Sequence, residues 1–293
     1  FSKLSITFLQ KRKVAYFVSG SLLLISIFSL STNGLNQGVD FVGGRTYTVR
    51  FDNDVNQSEI QASLVEVLGN AEAKTFGSDN QLKITTNYKV DVEGIEVDDE
   101  IQQKMFNALK NKFPENLTYD EFVNGADNKI VGIMGSSKVG PTIADDIKKN
   151  SFLAIFGSLF VVFLYILLRF RDWQYSLGAV TAVFHDVLIV LGIFSLTYSF
   201  MPFSMEINQA FIAAVLTVIG YSLNDTVVVF DRIREFRLIN KSWEFKKTVN
   251  GALNSTLSRT LNTSFTTLVV LLAIFLFGGE SIRGFMFALI IGV

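Results

Sequence analysis

The 293-residue chain contains no cysteine and a single histidine. Without thiols it can form no disulfide, carry no thiol chemistry and offer no Cys-ligated metal site. Any domain outside the cytoplasm must therefore hold together without covalent staples. No cluster of residues has metal-ligand spacing, and no basic run of the kind that grips nucleic acid is present.

Charge is scarce as well, at 18% of residues against 49% hydrophobic, with 28 phenylalanines and a mean hydropathy of +0.37. Soluble domains of this size rarely read so apolar. The apolar residues fall into blocks near the roughly 20 residues that cross a bilayer as helix. The chain reads as a polytopic α-helical membrane protein.

Five blocks have crossing length: 14–31, 151–168, 176–197, 207–230 and 260–279. A sixth begins near Ile282 and reaches Val293, too short to cross. The expectation is a six-span half-bundle with its last span incomplete. Phe1 in place of methionine suits a fragment or one half of a longer polypeptide. For the first block a cleaved signal peptide is the alternative, with SLS at 29–31 as a small-residue site. The later spans favour a retained helix.

Basic residues give the direction. Lys11, Arg12, Lys13, Arg169, Arg171, Arg232, Arg234, Arg237, Lys241, Lys246 and Lys247 fall on one side if the spans alternate, and the opposite short loops hold only Arg283. Residues 32–149 carry 12 Lys/Arg and 19 Asp/Glu, against 14 and 8 in the rest. That asymmetry predicts a cytoplasmic N-terminus and first helix over 1–31, an extracytoplasmic domain over 32–149, and helices two to six over 150–293. The charged stretch 231–258 is expected to lie along the cytoplasmic surface as an amphipathic helix.

The outer block has its own rhythm. RTYTVRF (45–51) alternates as a strand, and NQSEIQASLVEVLG (56–69) has helical spacing closed by glycine. AEAKTFG (71–77) and QLKITTN (81–87) read as a strand pair separated by SDN. DDEIQQKMFNALKNKF (98–113) is a second helix stopped by Pro114, and NKIVGIMGSS (128–137) a last strand. The order βαββαβ predicts a ferredoxin-like α+β domain. It shows no nucleophile–base pair, which points to a binding or docking module.

Ionisable groups inside a span are costly and by default mark function. Three occur: His185 and Asp186 in the third span, and Asp225 in the fourth. Tyr221 and Ser222 precede Asp225 by four and three residues, on its face of the helix, and Asn224 adjoins it. In the fifth span only LVVLLAIFLF (268–277) is purely apolar, so the helix must include polar turns before it. Arg259, Asn262, Thr263 and Thr266 follow i, i+3, i+4, i+7 spacing and form one face, making Arg259 a plausible counter-charge for Asp225. Desolvation and a nearby cation act oppositely on a carboxyl, so a small rearrangement can load or unload its proton. A proton switch is one reading of Asp225; a structural pairing between helices is the other. Arg259 likewise reads as counter-charge or interfacial anchor. His185 reads as a proton relay or a bundle hydrogen bond, and Asp186 as functional or as partner to a cation of another subunit. Gly157, Gly178, Gly192 and Gly220 are expected at close helix packing.

Several motifs also carry a resemblance: GVDFVGG (38–44), VGPTIADDIKKNS (139–151), FHDVLIVLG (184–192), IGYSLNDTVVVFDRIRE (219–235), LSRTLNTSFTTL (257–268) and FGGESIRGF (277–285). Across nearly the whole chain it resembles the SecF branch of the SecD/SecF protein-export family, within the resistance–nodulation–division superfamily, either as a separate subunit or as the SecF-like half of a fused polypeptide. The resemblance implies six spans per unit, an outer domain between the first two, and a twelve-helix bundle with a SecD-like partner around a proton path. It implies association with the SecYEG channel in the bacterial inner membrane and proton-driven movement of preproteins, with no cofactor beyond the gradient and no enzymatic reaction. The family's membrane aspartate and arginine fall on Asp225 and Arg259.

Two other classes remain. A transporter of lipids or small molecules from the same superfamily would need a larger outer vestibule than this domain supplies. An intramembrane aspartyl protease would use Asp186 and Asp225, yet Asp225 follows asparagine rather than a Gly-x-Gly stretch. A passive scaffold would carry mid-membrane charge at needless cost.

Overall fold

The computed structural model describes residues 6–92, 94–125 and 131–293. Among them five helices are long and apolar enough to cross a membrane: α1 (Phe8–Thr32), then α6 (Pro141–Phe170), α7 (Trp173–Thr197), α8 (Gln209–Ile239) and α9 (Phe245–Phe277). The last helix, α10 (Arg283–Gly292), has ten residues. Five of the six expected spans are matched by helices of crossing length, each running past its apolar block at one end at least. The charged stretch 231–258 forms no separate surface helix, contrary to expectation. Asp231–Ile239 prolongs α8, and from Phe245 onward the chain is already α9. The i,i+3 pair of Arg232 with Glu235 at 2.8 Å lets charged turns continue the helix instead of ending it.

Between α1 and α6 lie α2 (Val39–Val42), β1 (Gly44–Arg50), α3 (Gln57–Leu68), β2 (Glu72–Phe76), β3 (Ser78–Thr86), α4 (Ile95–Leu109), α5 (Tyr119–Asn124) and β4 (Gly132–Val139). The sheet order is β2-β3-β1-β4 with every neighbouring pair antiparallel. Asn56 caps α3 by accepting from the Ser58 and Glu59 amides, and Gly69 closes it. The SDN triplet is not a loop: the chain turns at Gly77 (φ +87°), so Ser78 already belongs to β3. The short helix α5 was not anticipated, though its Thr118–Glu121 capping box was visible as T-x-x-E. Part of the last expected strand, residues 128–130, lies outside the described residues.

One sheet face carries Tyr47, Val49, Leu82 and Ile84 against α3 and α4, with Phe51 stacked on Phe113 at 5.1 Å. This core stands in for disulfides. The other face presents Thr46, Thr48, Lys83 and Thr85 toward the end of the bundle where α8 begins. The joint starts at Gly43 and Gly44, with φ of +75° and +137°. A Cβ on Gly44 would stand 2.6 Å from the Thr86 carbonyl, so the chain enters β1 only through glycine.

The bundle packs closest where side chains are small. Gly192 of α7 meets α1 so tightly that a Cβ there would lie 2.1 Å from the Ser26 side chain, and Ser29 donates to Ser195 at 2.9 Å nearby. Gly178 faces Phe230 at 3.6 Å, whereas Gly157 and Gly220 have open space where close packing was expected.

Beneath the sheet, Glu72 accepts two hydrogen bonds from Asn36, both at 3.1 Å. Burial pushes its carboxyl above the usual carboxylate range; the Asn36 amide opposes this, and the charge of Glu206 adds to it. The folded state therefore holds this proton to higher pH than the unfolded chain does, and stability falls as pH rises through that range. Glu72→Gln is expected to raise the thermal midpoint at neutral pH and to flatten its pH dependence, as read by calorimetry at several pH values. A lower midpoint at neutral pH would contradict this.

Candidate proton-transfer site

Two groups of polar side chains sit within the bundle. The first joins three helices. On α7, His185 Nδ1 lies 2.9 Å from Asp186 Oδ1, while its Nε2 is hydrogen-bonded to Ser19 of α1. The other Asp186 oxygen accepts from Ser222 Oγ of α8 at 2.7 Å. A run Ser19–His185–Asp186–Ser222 thus crosses from α1 to α8. Both Asp186 oxygens thus have partners within the chain. Ser222 turns to Asp186 and not, as the helical spacing suggested, to Asp225.

The second group lies between α8 and α9. Tyr221 is 3.4 Å from both Ser264 and Thr267 hydroxyls. Asp225 is half-buried and Arg259 exposed. Arg259 is close enough to act on Asp225 electrostatically, yet no ion pair within 4 Å forms. Neither side chain has a hydrogen-bond or ion-pair partner among the described residues. Thr263 donates to its own helix at Arg259 O (2.9 Å), and Thr266 does the same at Asn262 O. Asn224 and Asn262 are exposed beside them. A polar strip, partly exposed among the described residues, therefore runs along α8 and α9.

A carboxyl in this setting can hold or release a proton, because the opposing charge is near but not locked to it. The two aspartates share no hydrogen bond: one is bound to histidine and serine, the other faces arginine. That is not the shared-proton carboxylate pair of aspartyl proteolysis. The residues that sequence reading missed are Ser19, Ser264 and Thr267. Small hydroxyls inside apolar spans were the signal, but nothing in their spacing named the partner helix.

The C-terminal region of the protein-export membrane proteins SecD/SecF matches residues 121–293, and the SecD/SecF GG motif matches residues 28–55. The chain belongs to the SecD/SecF family. Protein translocase subunit SecF of Rhodothermus marinus is 46% identical over 294 residues, covering 100% of this chain and 89% of that one. The SecF of Vibrio alginolyticus is 38% identical over 291 residues, covering 99% and 84%. Crystallised SecDF from Thermus thermophilus, described as a translocon-associated membrane protein, superposes with a TM-score of 0.80 at 28% identity. SecDF in a super-membrane-facing form gives 0.64. Each comparison covers 99% of this chain but 36% of the SecDF chain. The GG-motif match spans Gly43 and Gly44, and the C-terminal match includes both polar groups apart from Ser19. The protein is a multi-pass membrane member of this family.

Proposed function

We propose that the chain is the SecF-type subunit of a bacterial protein-export translocase, and that it uses the proton gradient to help move preproteins outward across the inner membrane. The names of its relatives support the translocase assignment. The proton drive rests on one observation: Asp225 and Arg259 lie within electrostatic reach across α8 and α9, and neither side chain has another partner among the described residues. A SecD-type subunit, separate or fused, covers the polar strip and completes the proton path, and the SecYEG channel and the translocating preprotein are the further partners. Membrane lipids surround the remaining faces.

The basic positions support a cytoplasmic N-terminus with residues 32–149 periplasmic. The order β2-β3-β1-β4 with βαββαβ connectivity supports a ferredoxin-like outer domain, and α10 stands as the start of a sixth span. A proton arriving from outside neutralises Asp225 and releases its attraction to Arg259. The helices then shift, the outer domain follows, and the proton leaves inward. Each charge crossing about 100 mV supplies roughly 2.3 kcal/mol, so a few protons suffice for a domain movement.

The test uses vesicles containing this chain, a SecD-type subunit and the channel. With an outward-acidic gradient, export and inward proton flux are expected together. Collapsing the gradient with a protonophore should remove the gain in export. Unchanged export after collapse would refute the proton drive.

A further inference from the structure

The outer end of α8 is tied to the sheet domain by a buried ion pair that the proton path does not contain. Lys83 Nζ donates to Glu206 Oε2 at 2.8 Å, and Thr85 Oγ1 donates to Oε1 at 3.3 Å. The Glu206 side chain is 5% exposed and that of Lys83 22%. Both donors sit on β3, an inner strand of the sheet, so force applied there reaches the sheet as a whole and not one frayed edge.

Glu206 stands three residues before α8. Its neighbour Ile207 pairs with the segment entering the domain: the Ile207 amide donates to Asn36 O at 2.7 Å, and the Gly38 amide donates to Ile207 O at 3.0 Å. Asp40 Oδ2 accepts from the Gln209 amide at 3.0 Å, at the first residue of α8. The pair lines a cavity of about 290 Å³ between sheet and bundle. Glu280, paired with Arg283 at 2.6 Å, lines the same space from the turn before α10. At its far side α8 carries Asp225, sixteen residues beyond Gln209 and thus about 24 Å along the same rod.

We propose that Lys83 and Glu206 form a strut that transmits displacement of α8 to the outer domain. They are positioning residues for transport: they move no proton, but they convert helix movement into sheet movement. The geometry suits this. The hydrogen-bonded pair has few alternative arrangements, because separating it leaves the Glu206 carboxylate buried without its cation. The glycine entry at 43–44 alone would let the domain swing freely over the bundle. The strut removes that freedom on the side where α8 begins.

This inference rests on the proton-drive reading, and the experiment separates the two. Lys83→Gln, Glu206→Gln and the exchanged pair Lys83→Glu/Glu206→Lys are reconstituted with a SecD-type subunit and the channel. Proton flux and preprotein export are measured in the same vesicles. In the single variants, flux is expected to stay near that of the unaltered protein while export falls about tenfold, within the usual range of coupling between sites. The exchanged pair, which restores opposite charges, should recover most of the export, showing that the singles lost a link and not the fold. Normal export in the single variants would overturn the strut, as would flux falling in step with export, or an exchanged pair no better than the singles. Any of these outcomes leaves the role of Asp225 standing. Absence of flux in the unaltered protein would instead remove the proton drive itself, and the strut with it.

Discussion

Asp225→Asn is expected to lower proton flux and preprotein export together, each by about a hundredfold, the scale set by removing a positioned proton-transfer group. Asparagine keeps the size and hydrogen-bonding shape of the side chain but cannot change its charge. Asp225 makes no hydrogen bond among the described residues that the substitution would break, so thermal stability should move little. Asp225→Glu, which keeps the acid, should retain part of both activities. These outcomes separate the two sequence readings of the residue. A structural pairing predicts the reverse pattern, with stability lost and flux unaffected. The measurement is internal acidification together with the loss of protease protection of a preloaded preprotein as it leaves the same vesicles, beside a melting curve of the purified chain.

The second large effect is expected at Gly192→Leu. The first added atom would meet the Ser26 side chain at 2.1 Å and its Cα at 2.5 Å, so backbone must move and no rotamer relieves the clash. Overpacking of ordinary cores costs about 1–3 kcal/mol, and the backbone contact places this case at the top of that range or above. Helices α1 and α7 would be forced apart, breaking the Ser29–Ser195 bond and the contact of Ser19 with His185. Gly192→Ala should act in the same direction with smaller size. Thermal unfolding in detergent reads both, and a Leu variant that melts like the unaltered chain would show that the seam is looser than described.

Much of this arrangement was legible in the residues because it rests on short-range periodicity. Apolar blocks of about twenty residues pointed to the spans and alternation to the strands, whereas the α9 hydroxyls that reach α8 are those of Ser264 and Thr267, not of the largely exposed face named from spacing. The failures have a common origin in distance along the chain. Ser19 and His185 are separated by 166 positions, and no local pattern says which helices adjoin. Ser222 shares a face with Asp225 by spacing, yet its hydroxyl is captured by Asp186 from the neighbouring helix. Residues 231–258 looked like one amphipathic element, because charge signals exposure but not where a helix stops. The break falls instead at Asn240–Glu244. The strut was invisible for the same reason: Lys83 reads as an ordinary strand lysine until Glu206 is folded beneath it.

The two passages between membrane and outer domain lie side by side. Gly44, where the chain enters the sheet, is the ladder partner of Val139, where it leaves for α6. The two covalent links thus share one corner, like a hinge line, and the Lys83–Glu206 strut on β3 would drive the sheet about that line. Strand β2 lies two strands from β1, about 10 Å at ordinary sheet spacing. Any swing is magnified with distance from the hinge, so a polypeptide held along the β2 border would travel farther per stroke than one held at β4.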